Sequence, residues 1–203
     1  MSRQSVVDEL LREHGTTYAE AAGIELADKP SPLFELLVLT MLSSTRISAD
    51  IAVKAARELF RAGWRTPQKM LDSTWRQRVE ALGRGSYRRY DESTATKLEE
   101  LSRMVLDEYG GDLRRIRPQG ENAADDLARV IASFPRIGPT GARIFCREVQ
   151  DVWPEVWPYF DDRALKSAEK LGLPAEPREL ADLAPEGRVA VLAAALARVK
   201  PKE

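Results

Sequence analysis

The residues of this chain best suited to chemistry are the adjacent carboxylates Asp161 and Asp162, which follow Tyr159-Phe160 and precede the helical pattern of Ala164, Leu165, Ala168 and Leu171. A carboxylate fixed at a helix start can stabilise positive charge developing on a sugar or orient an attacking water, and it can equally serve only as a helix cap. Upstream lies Phe134-Pro135-Arg136-Ile137-Gly138-Pro139-Thr140-Gly141-Ala142. Leu127, Val130, Ile131 and Phe134 recur at three- and four-residue spacing, which predicts a helix over 123–134 ended by Pro135. Pro139 suits a first helical position and opens a second helix over about 139–151, with Ile144, Phe145 and Val149 as its apolar positions. Between them Arg136, Ile137, Gly138, Pro139, Thr140 and Gly141 would turn backbone N–H groups and the positive end of the second helix outward, where a phosphate oxygen can bind. Such a grip positions nucleic acid without reading its sequence. An ordinary helical hairpin would use the same residues, so the neighbouring segments decide the weight of the motif.

Several neighbours match one family in the right order. The hairpin resembles the helix-hairpin-helix of the endonuclease III and adenine-glycosylase superfamily of base-excision repair proteins, whose form is Leu-Pro-Gly-Val-Gly-Arg-Lys-Thr-Ala followed by Val-Asp-Thr-His-x-x-Arg. The run Ser31 to Thr45 is similar to that family's opening Pro-Phe-Glu-Leu-Leu and Leu-Leu-Ser-x-Gln segment. Ala81-Leu82-Gly83-Arg84-Gly85-Ser86-Tyr87 resembles its Gly-Leu-Tyr turn, and Glu108-Tyr109-Gly110-Gly111-Asp112 its approach to the hairpin. The resemblance implies an all-α, two-lobed fold in which 31–151 form the central helical barrel carrying the hairpin (about 123–151), while 1–30 and 152–203 form a second lobe from both termini.

The resemblance places the family's catalytic aspartate on Asp161 and its Schiff-base lysine on Thr140, whose hydroxyl cannot form an imine with a sugar C1′. It thus implies a monofunctional DNA glycosylase, without lyase chemistry, that hydrolyses the N-glycosidic bond of a damaged or mispaired base in duplex DNA. The alternative is a non-catalytic helix-hairpin-helix protein recognising distorted DNA. Arg136 stands where the family has its first hairpin glycine; if that position needs positive φ, the β-carbon is unfavourable. Arg143 and Arg147, one turn apart, are read with Arg136 as DNA contacts. Thr45 takes the place of a gap-filling glutamine and is too short to fill an unstacked site, so Tyr87 or Arg88, expected on a loop, are the candidate wedges. Glu35 is a weaker candidate for an acid that protonates the departing base, its other reading being a helix-start residue.

The remaining composition limits the chemistry. One cysteine, Cys146, cannot supply the four-thiolate cage of an iron–sulfur cluster, and with His14 as the sole histidine no metal site is expected. With 31 basic and 32 acidic side chains the chain is nearly neutral, so attraction to DNA must be local. Clusters around Arg84, Arg88 and Arg89, around Arg114, Arg115 and Arg117, and around Arg136, Arg143 and Arg147 are available for it. No apolar run is long enough to span a membrane and the opening residues lack the apolar stretch of a secretory signal, so a cytoplasmic, nucleoid-associated monomer is expected.

Helical periodicity extends along the whole sequence. It predicts helices at Val6 to Leu11, Leu33 to Leu42, Ile47 to Phe60, 67–82 in one or two pieces, 91–109 ended by Gly110-Gly111, and about 186–199. The aromatic run Trp153, Trp157, Tyr159 and Phe160 is read as a connection buried between lobes rather than a base-stacking platform.

Overall fold

A computed structural model describes residues 2–199. Twelve α-helices form among them: α1 (Arg3–His14), α2 (Tyr18–Ala21), α3 (Pro30–Ser43), α4 (Ala49–Arg61), α5 (Pro67–Asp72), α6 (Trp75–Arg84), α7 (Asp91–Tyr109), α8 (Ala123–Ala132), α9 (Pro139–Val149), α10 (Asp162–Lys170), α11 (Pro177–Ala181) and α12 (Val189–Arg198). The described residues contain no strand. Helix starts follow local chemistry: Ser2, Thr17, Ser48, Thr66, Thr74 and Asp161 each cap the first turn with a side-chain oxygen. Gly110, at φ 62°, ends α7 in the left-handed conformation.

Helix α3 is buried from Leu33 through Leu42, which makes it the axis of the larger core. Helices α4 and α9 pack on it, and the same core takes in Ala55 and Leu59 of α4, Leu82 of α6, Leu98 and Leu101 of α7, Leu127 and Ile131 of α8, and Phe145 of α9. A second core joins Val7 and Leu10 of α1 to Phe160, Ala164 and Ala168 around the start of α10, Leu180 of α11, and Leu192 and Leu196 of α12. Helices α1 and α12, the first and last of the described residues, therefore share one lobe.

The cores divide the chain differently from the 31 and 151 boundaries. Ala19, Ala22, Ile24, Trp153 and Val156 belong to the larger core. The cause is local: Trp153 lies 6.0 Å from Phe145 in ring centroids, and its Nε1 donates to Asp28 at 2.9 Å. The aromatic run splits, with Trp153 in the larger core, Phe160 in the smaller and Trp157 exposed.

Helix α9 touches both lobes, packing on α8, α3 and α12. Burial pushes the Cys146 thiol up to about 12, so it serves as a small protonated hydrophobe. The buried Glu148 carboxylate accepts the Tyr18 and Ala19 N–H groups at 3.3 and 2.9 Å, joining α9 to the start of α2.

Candidate nucleic-acid interface and active site

The α8–α9 hairpin is held by Phe134 and Ile137, both buried. Ile137 N–H donates to Phe134 O at 3.1 Å and Ala142 N–H to Gly138 O at 3.0 Å. Gly138 is the extended N-cap of α9, and no side chain caps that end. The Thr140 and Gly141 N–H groups, in the first turn, therefore lack intrahelical acceptors, and the exposed Pro139 has no N–H to add. This is the charge distribution of an anion-binding helix start. Gly141 is fixed by packing, since a Cβ there would lie 2.0 Å from Ser44 Oγ and 3.1 Å from Ile137 Cγ2. The first turn of α9 thus rests on the end of α3, a contact that sequence reasoning missed although the glycine signals it.

Arg136 adopts φ 61°, so the hairpin keeps the left-handed geometry and accommodates a β-carbon in it. Its Nη1 donates to Ser93 Oγ at 2.8 Å, and its Cζ lies 5.4 Å from the Tyr90 ring centroid. Arg89 lies 5.3 Å from the same ring. Tyr90 and Ser93, which carried no motif signal, thereby bring the turn before α7 against the hairpin. Arg88 is exposed on that turn.

Two expectations are corrected here. Tyr87 lies on the loop between α6 and α7, as expected, but is buried there; its hydroxyl lies 2.7 Å from Thr45 Oγ1 and donates to Leu42 O at 3.2 Å, so it cannot enter a duplex without leaving the core. Thr45 is half-buried and occupied by that contact. Arg147, expected to be exposed beside Arg143, is instead 3% exposed, lying between the Tyr18 ring and α12, which packs on α9. Arg143, one turn earlier, is exposed and stands 3.5 Å from Asp162.

Arg147 turns instead to Asp161. Its Nη1 donates to Asp161 Oδ2 at 2.8 Å, while Oδ1 accepts the Ala164 N–H at 2.9 Å. Capping and a buried ion pair therefore coincide on one carboxylate. A cavity of about 130 Å³ beside it is lined by Thr140, Arg143, Arg147, Asp161, Arg163 and Tyr18, so Thr140 and Asp161 meet at one site. Glu35 lies elsewhere, about eight residues and hence about 12 Å along α3 from its end at Ser43. It accepts from Arg65 Nη1 at 2.6 Å and Ser31 Oγ at 3.1 Å and lines a separate cavity of about 1040 Å³. Burial raises its carboxyl above the usual range, Arg65 and Ser31 opposing the shift. No group of three or more His, Cys, Asp or Glu side chains among the described residues could hold a metal ion, and a single thiol cannot build an iron–sulfur cage.

Neither a family model nor a curated protein matches this sequence. Among solved structures, a trapped covalent endonuclease III–DNA intermediate in an estranged-adenine complex is 19% identical, with a TM-score of 0.51 over 97% of this chain and 85% of that one. A non-covalent endonuclease III–DNA complex is 16% identical, with a TM-score of 0.53 over the same shares. The fold is that of endonuclease III. On the endonuclease III fold this chain sets a threonine and an arginine-bound aspartate around one small cavity at the foot of the hairpin.

Proposed function

We propose that this protein grips duplex DNA through its hairpin and hydrolyses the N-glycosidic bond of a damaged or mispaired base. The observation that carries this reading is the meeting of Asp161 and Thr140 at one cavity beside the unpaired N–H groups of α9. In the reaction, the C1′–N bond breaks first and its electron pair leaves with the base, and water oxygen then bonds to the sugar C1′; a proton from the water goes to the base or to solvent. Asp161 stabilises the positive charge on the sugar between those events. Each of its oxygens accepts one hydrogen bond in the structure and retains a second acceptor site for that purpose. Thr140 cannot form an imine, so the strand remains intact after base release. Flanking Arg88, Arg136 and Arg143 add contacts to phosphate.

A non-catalytic protein of distorted DNA is the second reading, favoured by one observation: the Arg147 guanidinium compensates the Asp161 charge at 2.8 Å. Base release from duplexes each carrying one lesion or mismatch separates the two. The expected result is strand cleavage only after hot alkali, with Asp161→Asn lowering release about 100-fold or more while duplex affinity stays within about threefold. Retained turnover in Asp161→Asn would sink the assigned role. Salt-sensitive binding with no release across the panel would carry the second reading instead.

A further inference from the structure

Arg147 is a costly residue to hold in this position. It is 3% exposed, yet its Nε and Nη2 have no hydrogen-bond partner among the protein atoms, and Nε is still 3.9 Å from Glu148 Oε1. Unmet buried donors destabilise, and a buried ion pair generally stabilises no better than well-packed apolar side chains of the same volume. Filling space therefore does not account for an arginine here. What the guanidinium does achieve is geometric. Its Cζ lies 5.3 Å from the Tyr18 ring centroid, and Arg198 sits 4.5 Å from the same ring while also bonding His14 O and Thr16 O. Arg147 is thus seated between Tyr18, which packs on the larger core, and the terminal lobe, with one N–H group directed at Asp161 Oδ2.

We infer that Arg147 is a positioning residue for Asp161, a role that rests on the glycosylase reading. The Ala164 N–H fixes one carboxylate oxygen from α10, and Arg147 fixes the other from α9. Thr140 and Arg147 lie about two turns apart on α9, so a rigid rod of about 10 Å connects the phosphate-gripping end to the clamp on the carboxylate. A phosphate seated at the start of α9 thereby fixes the sugar relative to Asp161. Oδ2 cannot rotate away without breaking its bond to α9, nor Oδ1 without opening the cap of α10.

The test is single-turnover base release at saturating enzyme, measured beside duplex affinity and thermal melting, for wild type, Arg147→Met, Arg147→Lys and Asp161→Asn, with Arg147→Met also placed on Asp161→Asn. A misaimed catalytic group costs on the order of 10- to 100-fold in rate. Arg147→Met is expected to lose that much with duplex Kd changed less than about threefold. Arg147→Lys should recover part of the rate, because it restores a charged donor without the planar fork, and it leaves no unpaired charge at Asp161 to confuse lost aim with lost folding. On the Asp161→Asn background the Arg147 change should lower release no further. Full rate in Arg147→Met, an equal additional loss on Asp161→Asn, or loss of affinity in step with rate would each overturn the inference. Release by wild type that ignores Arg147 removes the inference alone, whereas no release by wild type removes the glycosylase reading and the inference with it.

Discussion

Arg136 combines a left-handed backbone with side-chain contacts to Ser93 and Tyr90, and under the proposed function it also meets DNA. A β-carbon at φ 61° costs about 1 kcal/mol relative to glycine, and the bond to Ser93 with the Tyr90 ring contact offsets part of it. Two substitutions separate these effects. Arg136→Ala keeps the strain and loses the contacts, so it should unfold at lower urea, by about 1 kcal/mol; Arg136→Gly sheds both and should stay within about 0.5 kcal/mol of wild type. Both should bind duplex DNA equally weakly. A glycine variant that binds as tightly as wild type would confine Arg136 to the internal bond. The sequence exposed the glycine-to-arginine departure but not its partners, because Ser93 and Tyr90 come from a segment with no local reason to face the hairpin. Arg147 was misread for a related reason: its four-residue spacing from Arg143 implies a shared solvent face, and only the terminal lobe, distant in sequence, distinguishes them.

At the level of elements, periodicity and punctuation were enough for most helices. Residues 91–109 became one helix ended by Gly110 as expected, and the 67–82 region became α5 and α6 because Thr74 starts a new capping box. The lobe boundary was less legible, since assigning Trp153 to a core requires knowing that Phe145 and Asp28 surround it. The α3–α9 contact yields a direct prediction. Gly141→Ala must displace Ser44 or the hairpin, an overpacking worth about 1–3 kcal/mol, and Ser44→Gly in the same chain should return part of the loss in a denaturant titration. An additive result would mean the helices do not rely on this contact. Helix α3 carries a second prediction at its other end. Burial raises the Glu35 carboxyl, so the folded chain binds a proton where the unfolded chain has released it. Its contribution is largest below the ordinary 4.5 and falls as pH rises through the raised value. Glu35→Gln should therefore show a shallower decline of unfolding free energy from pH 4.5 toward neutrality, and an unchanged slope would place the pH dependence on other carboxyls.

For the whole molecule, a net charge of −1 hides an uneven distribution. Arginines away from the hairpin are largely bound to carboxylates: Arg117 bridges Asp28 and Glu155, Arg114 holds Asp112, Arg84 reaches Glu58, and the buried Arg78 meets Glu99. Arg46, Arg88 and Arg89 are exposed on segments tied to the hairpin side through the Thr45–Tyr87 and Arg136–Tyr90 contacts, with Arg143 on the hairpin helix itself. Of these Arg143 also stands 3.5 Å from Asp162, and under the proposed function a phosphate at the start of α9 would meet this group of arginines. If Arg46, Arg88, Arg89, Arg136 and Arg143 each neutralise one phosphate, log K should fall with log salt at a slope of about −4.5. The Arg88→Ala, Arg89→Ala double variant should reduce that slope by about 2 units, whereas Arg114→Ala with Arg117→Ala should leave it unchanged. Equal reductions from both pairs would show attraction spread over the surface, and a slope near zero would remove the phosphate grip on which the catalytic reading depends.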